Sequence, residues 1–373
     1  MKGTIFFRLF IVTMLTLFLL PGCGGGSSSK ADDLSAEIGQ MFMIGFRGLS
    51  VDQDSPIVMD IRQGRIGGVI IFDYDVALQS PVRNVESPDQ LRRLVSDLQG
   101  ASKDRLLIAV DQEGGRVGRL KEKYGFPPTV SQAWLGEQNN PQLTSEYASR
   151  TAATLAEMGL NVNLTPVVDV NVNPDNPVIG RLERSFSSDP EIVALHSREV
   201  ILSHRERNIL TSLKHYPGHG SSKDDSHHGF TDVTDTWTPM ELEPYSLLFE
   251  SPGVDMVMTA HVFNSNLDPD WPATLSSNIL NDLLRVEMGY DGVIISDDMQ
   301  MGAIREHYGL ETALERTINA GTDIIIFGNN LVYDEDIATR AGDIVLELVR
   351  QGRIPESRIM ESYKRIMKLK DKL

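Results

Sequence analysis

The chain has 373 residues, 41% of them hydrophobic and 23% charged, which supplies a sizeable core and excludes a disordered or fibrous protein. Asp and Glu number 52 against 35 Lys and Arg, and a net charge of -17 argues against nucleic acid as a partner. The single cysteine, Cys23, rules out an intramolecular disulfide framework and any Cys-rich metal cluster.

Residues 1–22 begin with Lys2 and Arg8, run through an apolar stretch and reach Leu20-Pro21-Gly22-Cys23, which reads as a secretion signal. That ending resembles the lipobox of bacterial lipoproteins, and the resemblance implies cleavage before Cys23 and lipidation of its side chain. A plain signal peptide or a short anchor helix is the alternative. Residues 23–30, rich in Gly and Ser, are expected to be a flexible linker, so the folded body is expected over residues 31–373. An exported protein tethered to the cell-envelope membrane follows. No later stretch is long and apolar enough to span a bilayer.

Eight apolar segments then recur, at residues 39–46, 67–72, 106–111, 160–170, 209–215, 254–261, 292–297 and 322–328. Most are rich in Val and Ile with few charges, the pattern of strands buried on both faces of a parallel sheet. Helical patterns lie between them. Leu91, Leu94, Val95 and Leu98 repeat at helical spacing behind Ser87-Pro88-Asp89-Gln90, a capping box with proline at the first helical position. Thr238-Pro239-Met240-Glu241 carries the same start signal. Residues 275–288, 302–320, 335–350 and 355–369 also have helical periodicity. Strands alternating with helices predict a single α/β domain, a (β/α)8 TIM-type barrel. A doubly wound open sheet competes, but no Gly-rich dinucleotide loop follows any strand.

In such a barrel the reactive groups gather at the carboxyl ends of the strands. Here the strand candidates end in Asp111-Gln112-Glu113, Asp169, Lys214-His215, His261, Asp297-Asp298 and Asn329-Asn330. Helix capping explains any one Asp or Asn, but it does not explain a lysine and two histidines. The densest cluster runs from Lys214 through Pro217, His219 and Asp225 to His227 and His228, and its proline and glycines put it on a loop. A zinc pair four residues apart needs one face of a helix, so no metal is expected. General acid/base work is the other use, with Asp225 fixing the tautomer of His227. Of Asp297 and Asp298, alternation turns at most one directly to the mouth, where a carboxylate can attack a sugar anomeric carbon; salt bridging is the plainer role.

Residues 214–220 with Asp225-Ser226-His227, the stretch from Asp111 to Val117, Arg184-Ser185-Phe186 and Ser296-Asp297-Asp298-Met299 together resemble glycoside hydrolase family 3, and more narrowly its β-N-acetylhexosaminidase branch. The resemblance runs from about Gly39 to the C-terminus. It implies a retaining barrel enzyme in which Asp297 is the nucleophile, His227 the acid/base and Asp225 its partner. It also implies sugar binding by Asp111, Arg119, Arg184, Lys214 and His215. The arginine segment, residues 180–186, is longer than the family pattern, so Arg181 competes with Arg184. Larger members of the family take a carboxylate acid from a second domain; none follows within this chain, and the histidine mechanism is expected.

The expected substrate is a glycan with terminal β-linked N-acetylglucosamine, from peptidoglycan or a related polymer, with no cofactor. The expected partners are that carbohydrate and, through the anchor, a membrane, for a monomeric protein. A β-glucosidase or a phosphorolytic enzyme on the same site, or a sugar-binding lipoprotein without turnover, are the alternatives.

Overall fold

The computed structural model describes Met1 and residues 28–227, 229–250 and 253–373, with side chains from residue 34 onward. Apart from Met1, the expected signal, Cys23 and the linker as far as residue 27 lie outside the described residues. A helix, Ser28–Gln40, reaches back into the last residues expected as linker.

Among the described residues ten strands follow one another: β1 (Phe42–Gly45), β2 (Gly68–Ile71), β3 (Leu107–Val110), β4 (Val162–Asn163), β5 (Leu210–Tyr216), β6 (Thr231–Asp232), β7 (Met256–Thr259), β8 (Val262–Phe263), β9 (Val293–Asp298) and β10 (Ile324–Phe327). Eight of them close a parallel barrel in the order β1-β10-β9-β7-β5-β4-β3-β2, and each of these falls within or overlaps one of the eight apolar segments. Closure excludes the open sheet. Runs such as Phe42-Met43-Ile44 and Ile324-Ile325-Ile326-Phe327 are buried throughout, because interior side chains fill the barrel and helices cover its outside.

The seam pairs Phe42 with Ile325 and Ile44 with Phe327. Gly45 is required there: a Cβ on it would stand 1.8 Å from the Gly328 carbonyl oxygen. The pair β6 and β8 forms a small separate sheet that the sequence patterns did not signal.

Three elements depart from the expectation for local reasons. The fourth barrel strand is only Val162–Asn163, because the Thr165 N–H turns back to the Asn163 carbonyl at 2.9 Å instead of joining the ladder; contact with β5 resumes where the Ser212 N–H donates to the Thr165 carbonyl at 2.9 Å and the Val168 N–H to the Lys214 carbonyl at 2.8 Å. The helix expected over 302–320 is divided into Gly302–Arg305 and Leu310–Ala320, with Gly309 extended between them. The helix expected after Thr238 begins as a tight turn, Pro239–Leu242, and continues as Glu243–Phe249. Thr238 makes no capping bond, and the fully buried Glu241 is turned toward another segment. Ser87 does cap its helix, accepting from the Gln90 N–H at 3.3 Å.

Candidate active site

Strand ends and the loops after them enclose a cavity of about 340 Å³ at the barrel mouth, bordered by Asp111, Glu113, Arg119, Arg184, Lys214, His215, His227, Asp297 and Asp298. Every residue expected to act at the site borders this cavity except Asp225, which meets it through His227.

One wall is an ionic lattice. Lys214, on β5, reaches across to Asp111 Oδ1 at 2.8 Å and Glu113 Oε1 at 2.6 Å. Arg184 grips both oxygens of Glu113 at 2.8 Å and donates to the Val178 carbonyl at 2.9 Å. Arg119 donates to the other oxygen of Asp111 at 3.1 Å. Burial opposes the charges of Asp111, Glu113, Lys214 and Arg184, but their opposites outweigh it. Asp111 and Glu113 are held below the usual carboxylate range by Lys214 and the nearby guanidiniums, and Lys214 and Arg184 are held above their ordinary values. The lattice presents fixed cationic donors and carboxylate acceptors, the complement of a ring of sugar hydroxyls. Arg181, in contrast, is 65% exposed and faces Asp175 at 3.5 Å, away from the cavity border.

Beside this lattice, His215 Nδ1 lies 2.7 Å from Asp169 Oδ2, and Asp169 Oδ1 accepts the backbone N–H groups of His215 and His219. With Asp169 fixing Nδ1, the Nε2 of His215 lies 3.2 Å from Arg184. Asp169 and Glu113 have structural roles in the site that the sequence patterns only placed at strand ends.

Asp297, the penultimate residue of β9, borders the same cavity. Its Oδ1 accepts the Asp298 N–H at 2.8 Å. Burial raises its pKa, but His261, His215 and His227 outweigh that and hold it below the ordinary value, so the carboxylate is ionised. Asp298 also borders the cavity, yet its Oδ1 is committed to the N–H groups of Gln300 and Gly328. Burial, aided by the neighbouring Asp297 charge, pushes it up to about 6. The two adjacent carboxyl groups are thus shifted in opposite directions, and the Asp298 Oδ1 is spent on backbone N–H groups.

His227 comes from the loop after β5. Its Nδ1 is 2.7 Å from Asp225 Oδ1, which also accepts its backbone N–H at 2.9 Å. An ionised Asp225 fixes the proton on Nδ1 and leaves Nε2 for chemistry. Burial lowers the pKa of His227, but the Asp225 hydrogen bond and the Asp297 charge outweigh it and the net direction is upward. The imidazole is 45% exposed, so its free edge is reachable from solvent.

The other histidines of the sequence cluster have different work. His219 is buried and joins Ser222 to Ser226 through its two ring nitrogens, at 2.8 and 3.1 Å. Both ring nitrogens of His261 are occupied, by Thr274 and by the Asp298 carbonyl. His228 lies outside the described residues. Among the described residues, no group of His, Cys, Asp or Glu is arranged to hold a metal ion.

A cavity with an ionised carboxylate, a carboxylate-tuned imidazole and a lattice of polar donors matches the chemistry implied by the resemblance. The model of the glycosyl hydrolase family 3 N-terminal domain matches residues 33–369. The chain belongs to glycosyl hydrolase family 3. A protein named beta-hexosaminidase from Nitrosomonas eutropha is 34% identical over 283 residues, covering 74% of this chain and 77% of its own. Beta-hexosaminidase A of Pseudoalteromonas piscicida is 32% identical over 332 residues, covering 83% of this chain. This family 3 chain spans 54% of that longer relative.

Among solved structures, a family 3 β-N-acetylglucosaminidase from Paenibacillus sp. str. FPU-7 superimposes with a TM-score of 0.82 at 35% identity, over 91% of this chain and 62% of that one. A β-N-acetylhexosaminidase from Beutenbergia cavernae gives a TM-score of 0.80 at 26% identity, over 91% of this chain and 98% of that one.

Proposed function

We propose that the protein is a retaining exo-β-N-acetylhexosaminidase that removes terminal β-linked N-acetylglucosamine from peptidoglycan-derived or related glycans. The observation that carries this reading is the placement of Asp297 and the Asp225–His227 pair on one cavity with the Lys214 lattice. The relatives named for hexosaminidase and N-acetylglucosaminidase activity support the choice of sugar.

In the first step an oxygen of Asp297 bonds to the anomeric carbon as the bond to the leaving group breaks, and the proton on His227 Nε2 passes to the departing oxygen. In the second, a water oxygen bonds to the anomeric carbon while the Asp297 ester bond breaks, and the proton lost by that water goes to His227. Asp111, Lys214, Arg119, Arg184 and His215 hold the sugar ring. A histidine suits the proton transfers because Asp225 stabilises its charged form, and a neutral imidazole does not repel the nucleophile.

The test is turnover of an aryl β-N-acetylglucosaminide, run against an aryl β-glucoside and with and without phosphate. Trapping with a fluorinated sugar should label the peptide that contains Asp297. A label elsewhere, or faster turnover of the glucoside, would overturn the reading. Lipid attachment at Cys23, and through it placement on the cell-envelope membrane, belongs to the same proposal. Fatty-acid labelling of the expressed protein should be lost in Cys23→Ala.

A further inference from the structure

Glu241 is a fully buried carboxylate that the mechanism above does not use. Its sequence setting, three residues after Thr238, is that of a capping-box glutamate, yet it caps nothing. Its Oε2 instead accepts the backbone N–H of Gly220 at 2.9 Å and of Ser221 at 3.4 Å, while Oε1 is buried without a donor.

These two N–H groups sit where the loop leaves β5 for Asp225 and His227. The backbone there is pressed between Glu241 and the fourth strand's extension. A Cβ on Gly218 would stand 2.6 Å from the Glu241 Cβ, and one on Gly220 would stand 1.7 Å from the Val170 carbonyl oxygen. Trp237, on the same strap as Glu241, donates to the Pro217 carbonyl at 3.0 Å.

The constraint passes outward through hydrogen bonds. Ser222 holds His219 Nδ1 at 2.8 Å, and His219 Nε2 holds Ser226 at 3.1 Å, between the two members of the dyad. The far side of the loop is held by the Gly302 N–H, which donates to the His227 carbonyl at 3.2 Å. Asp169 grips the near side through the His215 and His219 N–H groups, so Glu241 secures the next two donors along the chain.

We propose that Glu241 is a positioning residue for proton transfer: by accepting the Gly220 and Ser221 N–H groups it fixes the pivot from which Asp225 and His227 are presented to Asp297. This rests on the enzymatic reading for its kinetic consequence, but the clamp itself is a property of the backbone. Asp169 serves both His215 and the loop, whereas the hydrogen bonds of Glu241 go to the loop, at Gly220 and Ser221.

The test compares Glu241→Met, which keeps the volume and removes the acceptor, with Glu241→Gln, which keeps one acceptor oxygen for the two N–H groups. Hydrogen exchange read by mass spectrometry should quicken over residues 217–229 in E241M and stay near wild type in E241Q. This readout needs no substrate. In steady-state kinetics, E241M should lose about 10-fold to 100-fold in kcat/KM for a phenyl N-acetylglucosaminide, since a misplacement of about 1 Å has that effect. It should lose under about 3-fold for the dinitrophenyl glycoside, whose departure needs little proton assistance. E241Q should follow wild type on both.

Unchanged exchange in E241M overturns the clamp. Equal loss on both glycosides overturns the link to proton transfer, and so does an E241Q as damaged as E241M. If wild type fails to turn over either glycoside while exchange responds as expected, the enzymatic reading and the kinetic link fail but the clamp stands.

Discussion

Lys214→Met removes the cation at the centre of the ionic lattice while keeping most of the side-chain volume. Lys214 is 2% exposed and lies 2.8 Å from Asp111 and 2.6 Å from Glu113. At an effective dielectric constant of about 20, each contact is worth about 6 kcal/mol of gross attraction, most of it offset by the desolvation of three buried ions. The relevant quantity is what removal strands. Truncating one partner of a buried pair costs about 3–5 kcal/mol, and here Asp111 keeps Arg119 while Glu113 keeps Arg184, which places the loss near ~3 kcal/mol.

Urea unfolding at pH 7 should therefore show K214M less stable by about 3 kcal/mol, or roughly 4 °C in melting temperature. Adding Asp111→Asn to K214M should return at least about 1 kcal/mol, because one stranded carboxylate is neutralised and the two sites share a network. An unchanged unfolding midpoint in K214M, or strictly additive losses in the double variant, would refute the account of Lys214 as the shared counter-ion.

The pH profile of kcat/KM should be bell-shaped, with the acid limb set by Asp297 and the basic limb by His227. His227 is raised despite burial by Asp225 and Asp297, so Asp225→Asn removes a raising contact; the imidazole then loses its proton at lower pH and the basic limb should move downward. A limb that stays in place would detach Asp225 from the proton transfer. Arg181→Ala should leave activity and stability near wild type, whereas Arg184→Met leaves the buried Glu113 to Lys214 alone and should lower stability by about 3 kcal/mol on urea unfolding. Gly45→Ala drives a methyl into the Gly328 carbonyl at the barrel seam and should destabilise by about 1–3 kcal/mol or more, read the same way.

The barrel was legible because its strands are buried on both faces and announce themselves as short runs of Val and Ile. The strand after Leu160 reads as longer than it is because apolar content says nothing about the backbone turn between Asn163 and Thr165, where the ladder stops while the buried run continues. The pattern places Asp297 at a strand end and Asp225 and His227 in a loop where no helix can form, while their separate roles come from the family resemblance.

Asp169 and Glu113 are placed at strand ends as well, but their roles are not legible, because these lie in partners far along the chain: His215 is 46 positions from Asp169, and Arg184 is 71 from Glu113. Glu241 was misread outright. Its local pattern fits a capping box, and only the approach of the loop at Gly218–Ser221 shows why burial there outweighs capping.

The barrel mouth divides its labour unevenly in space. The lattice is rooted in strand ends and is almost closed to solvent, with Lys214 at 2% and Glu113 at 1% exposure, while the dyad rides on an arm that leaves His227 at 45%. In the proposed mechanism, ring recognition and leaving-group protonation are thus carried by separable pieces of chain. Grafting a different arm between Gly220 and Gly229 could retune which acceptor or departing alcohol is served without reopening the contacts that hold the pyranose, a modularity that a single rigid pocket would not allow.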